Sequence, residues 1–209
     1  MRARHLTPIT LGCAFAAALA IPPAPAAQQL AVGLDTGKVT IDGTSNVHAY
    51  TASTTTVRVT RVQLADGVAG PHFWDALLKP GGLAAFDIAI PAATLTSGKD
   101  DLDKNMYKAL NTKAHADITF RLVRVEPAAS AKGPAALRAI GMLKIAGVER
   151  EVALDLTTER RQSALAVKGE LQLLMTDYGI TPPKAMLGML RTDPKVKVTF
   201  ETVLTVPLT

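Results

Sequence analysis

The chain has 209 residues and a mass of 22.0 kDa; 48% of the residues are hydrophobic and 20% are charged. This composition supports a buried core and excludes global disorder and fibrous repeats. The single cysteine, Cys13, excludes an intramolecular disulfide framework and a multi-cysteine metal site.

Residues 1–26 have the pattern of a secretory signal peptide. Arg2 and Arg4 precede an uncharged run from Leu11 to Ile21, and Ala24-Pro25-Ala26 matches the small-x-small pattern of a cleavage site. The apolar run is about half the ~20 residues that a membrane-spanning helix needs. We therefore expect this segment to be cleaved and the protein to be exported to the periplasm.

The mature chain is predicted to be one domain over residues 27–209. Without Arg2 and Arg4, the 23 basic residues fall to 21 against 18 acidic ones, which leaves a net charge of about +3. The remaining basic residues are scattered, so nucleic acid is not an expected partner. A mature chain without cysteine suits an oxidising periplasm.

Alternation of apolar and polar residues with a period of two dominates this domain. It predicts eight strands, which in chain order lie at Val39–Tyr50, Val57–Thr60, 85–90, Ile118–Leu122, Leu137–Ile145, 151–156, Leu165–Met175 and Val196–Leu204. Gly147 lies between two of these runs and predicts a hairpin. Half-buried strands of this kind pair antiparallel. Eight of them form either a sandwich or a barrel with room for one small ligand.

Two short helices are predicted between the strands. Ser97 followed by Asp100 resembles a capping box. The helix that follows would place on one face Leu102, Met106 and Ala109 or Leu110. Thr181 precedes two prolines and is predicted to begin a second helix that ends at Leu190. A further helical turn is expected at 73–78.

Known catalytic and metal-binding patterns do not fit this chain. Asp101 to Asn105 imitates the start of a calcium loop, but Met106 stands where glycine is required. The three histidines of the mature chain (His48, His72 and His115) form no close pair. Ser45 and His48, if both lie on one strand, face opposite sides of it. We therefore predict no catalytic residues, no metal site and no enzymatic activity.

Methionines are spread along the mature chain, at Met106, Met142, Met175, Met186 and Met189. Flexible thioethers suit an apolar cavity that accepts a long, pliable ligand. They also fill gaps in a core with few aromatic residues, and the sequence leaves both explanations open.

Four segments of the chain are informative when they are taken together. The first is the opening strand, Thr40–His48. The second is the helix Leu102–Leu110 with the strand that begins at Ile118. The third is the hairpin Gly141–Val152, and the fourth is the turn Met175–Pro183. Together they resemble the YceI-like, polyisoprenoid-binding family. They occur in the order found in that family and span roughly Lys38 to Val206.

The resemblance implies an all-β fold: an extended, antiparallel, eight-stranded, lipocalin-like barrel with one or two short helices. It also implies a periplasmic protein whose apolar tunnel holds an isoprenoid chain. Many members carry an Arg-Asp and a His-Leu pair before the helix, where this chain has Lys99-Asp100-Asp101-Leu102. Headgroup contacts made there in relatives are therefore not carried over.

The resulting hypothesis is an exported protein that holds or carries an isoprenoid lipid or a quinone, with no other cofactor. The expected cavity-lining residues are Leu165, Val167, Leu171, Leu173, Met175, Met106, Met142 and Phe120. The aromatic residues expected at the cavity mouth are Trp74, Tyr107 and Tyr178. Two rivals are a ligand-free envelope stress or interaction protein and an enzyme using His48. Transient contact with a membrane surface and a homodimer are both left open.

Overall fold

The computed structural model describes residues 32–68, 70, 72–128, 136–161, 163–185 and 189–206. The predicted signal peptide lies outside these residues. Two α-helices are described, α1 (Phe73–Leu77) and α2 (Asp100–Leu110), with 3₁₀ turns at Ala92–Thr94 and Met175–Tyr178. The strands in chain order are β1 (Gly33–Ser45), β2 (Ala49–Thr54), β3 (Arg58–Leu64), β4 (Leu83–Pro91), β5 (Asp117–Pro127), β6 (Ala136–Ile145), β7 (Val148–Arg161), β8 (Ala164–Leu174), β9 (Lys184–Ala185) and β10 (Leu190–Thr205).

Nine of the described strands form one antiparallel sheet in the order β2-β1-β10-β8-β7-β6-β5-β4-β3, and β9 pairs only with β10. The inward residues of seven strands line a common interior space, so the sheet is curled around it. A Cβ atom on Gly37 of β1 would lie 3.1 Å from Cβ of Val57, which immediately precedes β3. The two sides of the sheet therefore approach each other there. This confirms the all-β, antiparallel, lipocalin-like fold.

The sheet has nine strands where the sequence predicted eight, because the predicted strand Val39–Tyr50 is interrupted by a turn. The Ser45 hydroxyl donates to the carbonyl oxygen of His48 at 2.8 Å and accepts the amide of His48 at 3.1 Å. A serine side chain bonded in this way competes with the strand ladder. Ser45 and His48 are therefore neighbours across a turn, and the inference that they lie on opposite faces of one strand was wrong.

The hairpin predicted at Gly147 is confirmed and joins β6 to β7. Ile145 pairs with Val148 across a two-residue turn in which Ala146 and Gly147 have φ of 48° and 85°. Two positive φ values define the turn type whose twist matches that of the flanking strands. Glycine is needed at the second position also because a Cβ there would lie 2.5 Å from the His115 ring.

The helix predicted after Ser97 is confirmed as α2, but its start differs from the prediction. Lys99 is the N-cap residue and makes no side-chain cap bond. Asp103, rather than Asp100, accepts hydrogen bonds from Ser97, at 2.6 Å from the hydroxyl and 2.8 Å from the amide. The helical turn expected at 73–78 is α1.

The helix predicted from Thr181 to Leu190 was wrong at both of its described ends. Lys184 and Ala185 form β9 and pair with Arg191 and Leu190. The amide of Thr192 donates to the carbonyl oxygen of Pro183, which extends the same antiparallel connection. Long-range strand pairing therefore overrides the local helix signal. Residues 186–188, which include Met186, lie outside the described residues.

The core consists of three hydrophobic clusters along the inside of the sheet. The first joins α1 to β8 and β10 through Trp74, Leu77, Leu165 and Leu204. The second surrounds Tyr178 and Ile180 below α2, and the third surrounds Phe120 on β5. We refer to the two ends of the curled sheet as the α1 end and the α2 end.

Candidate functional site

An apolar cavity of about 230 Å³, called cavity 1 here, occupies the interior of the curled sheet. Its wall is made of inward side chains that alternate along the strands with outward polar ones. Leu165, Val167, Leu171 and Leu173 on β8 show this pattern, with Lys168, Glu170 and Gln172 between them. Natural cores contain few voids larger than a water molecule. A space of this size therefore requires a specific explanation.

One cross-strand pair shows how a large aromatic side chain is accommodated in the cavity wall. Phe200 of β10 lies directly opposite Gly169 of β8. A Cβ on Gly169 would lie 2.4 Å from the Phe200 ring, so the ring occupies the space that a side chain on this residue would need. Phe200 also lines cavity 1.

A second cavity of about 160 Å³, cavity 2, lies below helix α2. The helix contributes Leu102, Met106 and Ala109, and the opposite wall includes Met175 and Tyr178. This lining also contains polar residues, which are Tyr50, Asn105, Lys184 and Thr192. The combination of a mainly apolar wall and a few polar groups is typical of small-molecule sites.

The two cavities share part of their walls. The residues that line both are Ile41, Ile118, Ile145, Leu173 and Val198. They come from five different strands at one level of the sheet. A long, flexible molecule could therefore occupy one continuous region that runs from the interior of the sheet to α2.

Most residues predicted to line a cavity do so. Cavity 1 is lined by Leu165, Val167, Leu171, Leu173 and Phe120. Cavity 2 is lined by Met106, Met175 and Tyr178, as well as by Leu173. That any of them contacts a ligand stays a prediction.

Met142 lines neither cavity, contrary to its predicted position. Its neighbours on β6, Gly141 and Leu143, are paired with inward residues of β5, whereas Met142 pairs with Arg121. The alternation along β6 therefore turns Met142 to the outer face. It had been selected for its residue type rather than for its place in the alternation.

The three aromatic residues predicted at the cavity mouth are elsewhere. Trp74 is 6% exposed and packs in the hydrophobic cluster at the α1 end. Tyr107 lines neither cavity, and its hydroxyl donates to the carbonyl oxygen of Leu95 at 2.7 Å. Tyr178 lines cavity 2 but is 3% exposed, so it lies inside rather than at an opening.

Burial raises the pKa of all three tyrosine hydroxyls. For Tyr50 and Tyr107, the nearby carboxylates of Asp193 and Asp103, respectively, raise the pKa further. The Arg150 guanidinium partly opposes the increase at Tyr178. The three hydroxyls are therefore protonated at neutral pH and can donate hydrogen bonds. The buried Tyr178 hydroxyl has no hydrogen-bond partner among the described residues, which is costly for a polar group.

Several lining residues were not identified from the sequence. Ile41, Ile118, Ile145 and Val198 all lie at inward positions of predicted strands, so the period-two signal was present. Lys184 and Thr192 were missed because their segment was interpreted as part of a helix or its end.

The three histidines that the structure describes do not form a catalytic arrangement with one another. His48 is exposed in the β1–β2 turn. The described residues contain one histidine–carboxylate ion pair, His72 with Asp75 at 3.6 Å, and both side chains are exposed.

Within the part of the chain that the structure describes, no group of three or more His, Cys, Asp or Glu side chains is placed to hold a metal ion. None of the helices described is long and apolar enough to cross a membrane.

A family model described as the YceI-like domain matches residues 35–204. No curated protein matches the chain. BcnA from Burkholderia cenocepacia has a similar structure, with a TM-score of 0.61 and 14% identity, covering 80% of this chain and 95% of BcnA.

Two further structures share the fold. A polyisoprenoid-binding domain from Saccharophagus degradans has a TM-score of 0.61 and 15% identity, covering 86% of this chain and all of that domain. The YceI protein of Campylobacter jejuni has a TM-score of 0.54 and 12% identity, covering 73% of this chain and 82% of that one. At these identities the likeness establishes the fold alone.

Proposed function

Because the chain belongs to the YceI-like family, we propose that it binds an isoprenoid lipid or an isoprenoid quinone in cavities 1 and 2. The observation that carries the proposal is the pair of apolar cavities, about 230 and 160 Å³, which share five lining residues. An apolar cavity of about 150 Å³ stays dry in other proteins and binds small apolar molecules. The family relationship and the similarity to a polyisoprenoid-binding domain also support an isoprenoid ligand.

Burial of the prenyl chain would supply most of the binding free energy. Each buried CH₂ group contributes about 0.8 kcal/mol, and the wall of cavity 1 offers aliphatic and aromatic contacts along its length. The more polar lining of cavity 2 then suits the headgroup end of the ligand. We assign the prenyl tail to cavity 1 and the headgroup to cavity 2.

Export to the periplasm is a second element of the proposal. It is supported by the signal-peptide pattern of residues 1–26 and by the lack of cysteine in the remaining sequence. The mass of the protein isolated from its own cells would test it. We expect a chain shortened by about 26 residues in the periplasmic fraction; a full-length chain would contradict export by cleavage.

Native mass spectrometry combined with lipid extraction tests the binding function. Protein purified from its own envelope should carry a prenyl lipid or take one up when it is added. Val198 lines both cavities, so Val198→Phe should lower the bound fraction severalfold by narrowing the shared region.

Val203 provides the matched control on the same strand. Val203 lines neither cavity. Because side chains alternate along a strand, its side chain points to the face opposite that of Val198 and Phe200. Val203→Phe should therefore retain the lipid. The proposal fails if the purified protein is reproducibly empty and binds neither polyprenyl lipids nor quinones.

A further inference from the structure

Exposed apolar side chains are concentrated at the α2 end. Five large hydrophobic residues of the described chain are exposed. Three of them are at this end: Val47 at 68%, Met189 at 69% and Leu174 at 43%. Single exposed hydrophobic residues are ordinary, but a group of them beside a cavity indicates an interaction site.

Val47 and Met189 are held together by hydrogen bonds between the two turns that carry them. The Asn46 amide group donates to the carbonyl oxygen of Met189 at 2.8 Å and accepts the Arg191 amide at 2.8 Å. The backbone amide of Asn46 also donates to Arg191, at 3.1 Å. We call Val47 and Met189 the apolar tip.

The apolar tip borders the opening of cavity 2. Among the residues that line this cavity, those that are exposed are Asn105, Leu174 and Lys184. They mark where the cavity reaches the surface. Lys184 is the cross-strand partner of Arg191, which is bonded to Asn46 beside the tip. The tip and the opening therefore form one continuous surface.

The part of this surface that β9 and β10 form carries an excess of cations. Lys184 and Arg191 lie directly opposite each other on β9 and β10, and Lys195 lies opposite Leu174. The stretch from Lys184 to Lys195 contains these three cations and one acidic residue, Asp193. This excess of cations favours a negatively charged partner.

We propose that the α2 end docks on a bilayer that contains anionic lipids, with the apolar tip inserted among the headgroups. Insertion of exposed apolar side chains and attraction of flanking cations to anionic lipids both strengthen binding at a membrane surface. A specific protein–protein interface needs about 800 Å² on each partner, which is far more than three such side chains provide. Docking in this orientation turns the opening of cavity 2 to the membrane. That consequence rests on the proposed lipid-binding function, whereas docking itself requires no bound ligand.

Vesicle co-sedimentation of the mature protein tests the docking. The probes are vesicles of phosphatidylcholine alone and vesicles mixed with phosphatidylglycerol. We expect binding to the mixed vesicles that weakens with added salt. The double variant Val47→Ser/Met189→Ser should lose most of this binding, and Lys195→Glu should weaken it at least about fivefold.

The matched controls lie at the α1 end. Val206→Ser changes another exposed hydrophobic residue, and Lys79→Glu reverses another exposed cation; both should bind vesicles as the unaltered protein does. Thermal unfolding should be the same for all variants, because each altered side chain is exposed. Equal vesicle binding by the tip variant and the unaltered protein would overturn the proposal. So would a lack of vesicle binding accompanied by tip-dependent capture of an envelope protein.

A separate measurement distinguishes failure of docking from failure of lipid binding. The tip variant should still bind a polyprenyl lipid presented in detergent, because Val47 and Met189 line neither cavity. Loss of prenyl binding by the unaltered protein in detergent would overturn the proposed function and leave docking to be judged on the vesicles alone.

Discussion

The two helices of the protein differ in how deeply their side chains are buried. Helix α1 has five residues and buries Trp74 and Leu77 to 6% and 3% exposure. Helix α2 has eleven residues, and none of them is buried, although its apolar residues share one face. Trp74 packs in a hydrophobic cluster and lines neither cavity, although Leu77 lines cavity 1, whereas the apolar face of α2 lines cavity 2.

The attachments of the two helices differ in the same way. Helix α1 is held mainly by hydrophobic contacts, with an ion pair from Asp75 to Arg160 on β7 at its surface. Helix α2 packs through Ala109 and Leu110 on the cluster around Tyr178. It is also held by hydrogen bonds, from Ser97 to Asp103 and from Tyr107 to Leu95. Polar contacts therefore make up a larger part of the attachment of α2 than of that of α1.

Equivalent truncations on the two helices provide the strongest test of this contrast. Trp74→Ala should destabilise the protein by about 3–5 kcal/mol, because it removes a large side chain from a packed core. Met106→Ala should cost less than about 1 kcal/mol, because Met106 is half-buried and already faces a cavity. Urea unfolding of the two variants measures both effects. Equal losses of unfolding free energy would show that Met106 is packed as tightly as Trp74.

The sequence predicted the parts of the fold that depend on local pattern. Alternation in Leu165–Met175 identified β8 and four cavity-lining residues, and Gly147 identified a hairpin. The predictions failed where distant contacts decide the structure. Lys184 and Ala185 are strand residues because they pair with Arg191 and Leu190, and this cannot be inferred from the prolines before them.

The candidate site was only partly predictable for a related reason. The pattern of a strand shows which side chains point inward, but not whether the space they enclose is filled. Met142 was assigned to the cavity lining and Trp74 to the cavity mouth by residue type, and the structure places Met142 on the outer face and Trp74 in a packed cluster. The presence of a cavity depends on how side chains of different strands meet, as the Phe200 ring over Gly169 illustrates.

Removal of one hydrogen bond tests whether α2 is attached to the sheet less firmly than α1. Ser97→Ala deletes the hydroxyl that donates to Asp103 at 2.6 Å. Its expected cost is about 1–2 kcal/mol, because the acceptor is charged. Hydrogen exchange should become faster in α2 and stay unchanged in α1. Thr51→Ala, which deletes a hydroxyl bond to Asp42 on the exposed β1–β2 ladder, is the control and should leave α2 exchange unaltered. Equal acceleration in both helices would contradict a local attachment.

The smallest expected effect concerns the ion pair at the α1 end. The hydrogen bond from Arg160, assisted by its charge and by His72, holds the pKa of the Asp75 carboxyl below its usual range. A lowered folded-state pKa gives a stabilisation that is present above the unfolded-state pKa of about 3.9. It is lost as the pH falls through the folded-state value. Because the pair is exposed, salt and solvent keep the contribution small.

Asp75→Asn should therefore lower the melting temperature slightly at neutral pH and have less effect as the pH falls below about 4. The same change at Asp101, whose partner Lys104 lies 3.4 Å away on the exposed face of α2, is the matched comparison. It should have no measurable effect, because the contact joins residues of one helix and does not connect that helix to the sheet. A deficit of Asp75→Asn that stayed constant into acid would show that the residue acts through packing. The attachment of α1 would then depend on hydrophobic contacts alone, and its contrast with the attachment of α2 would be sharper.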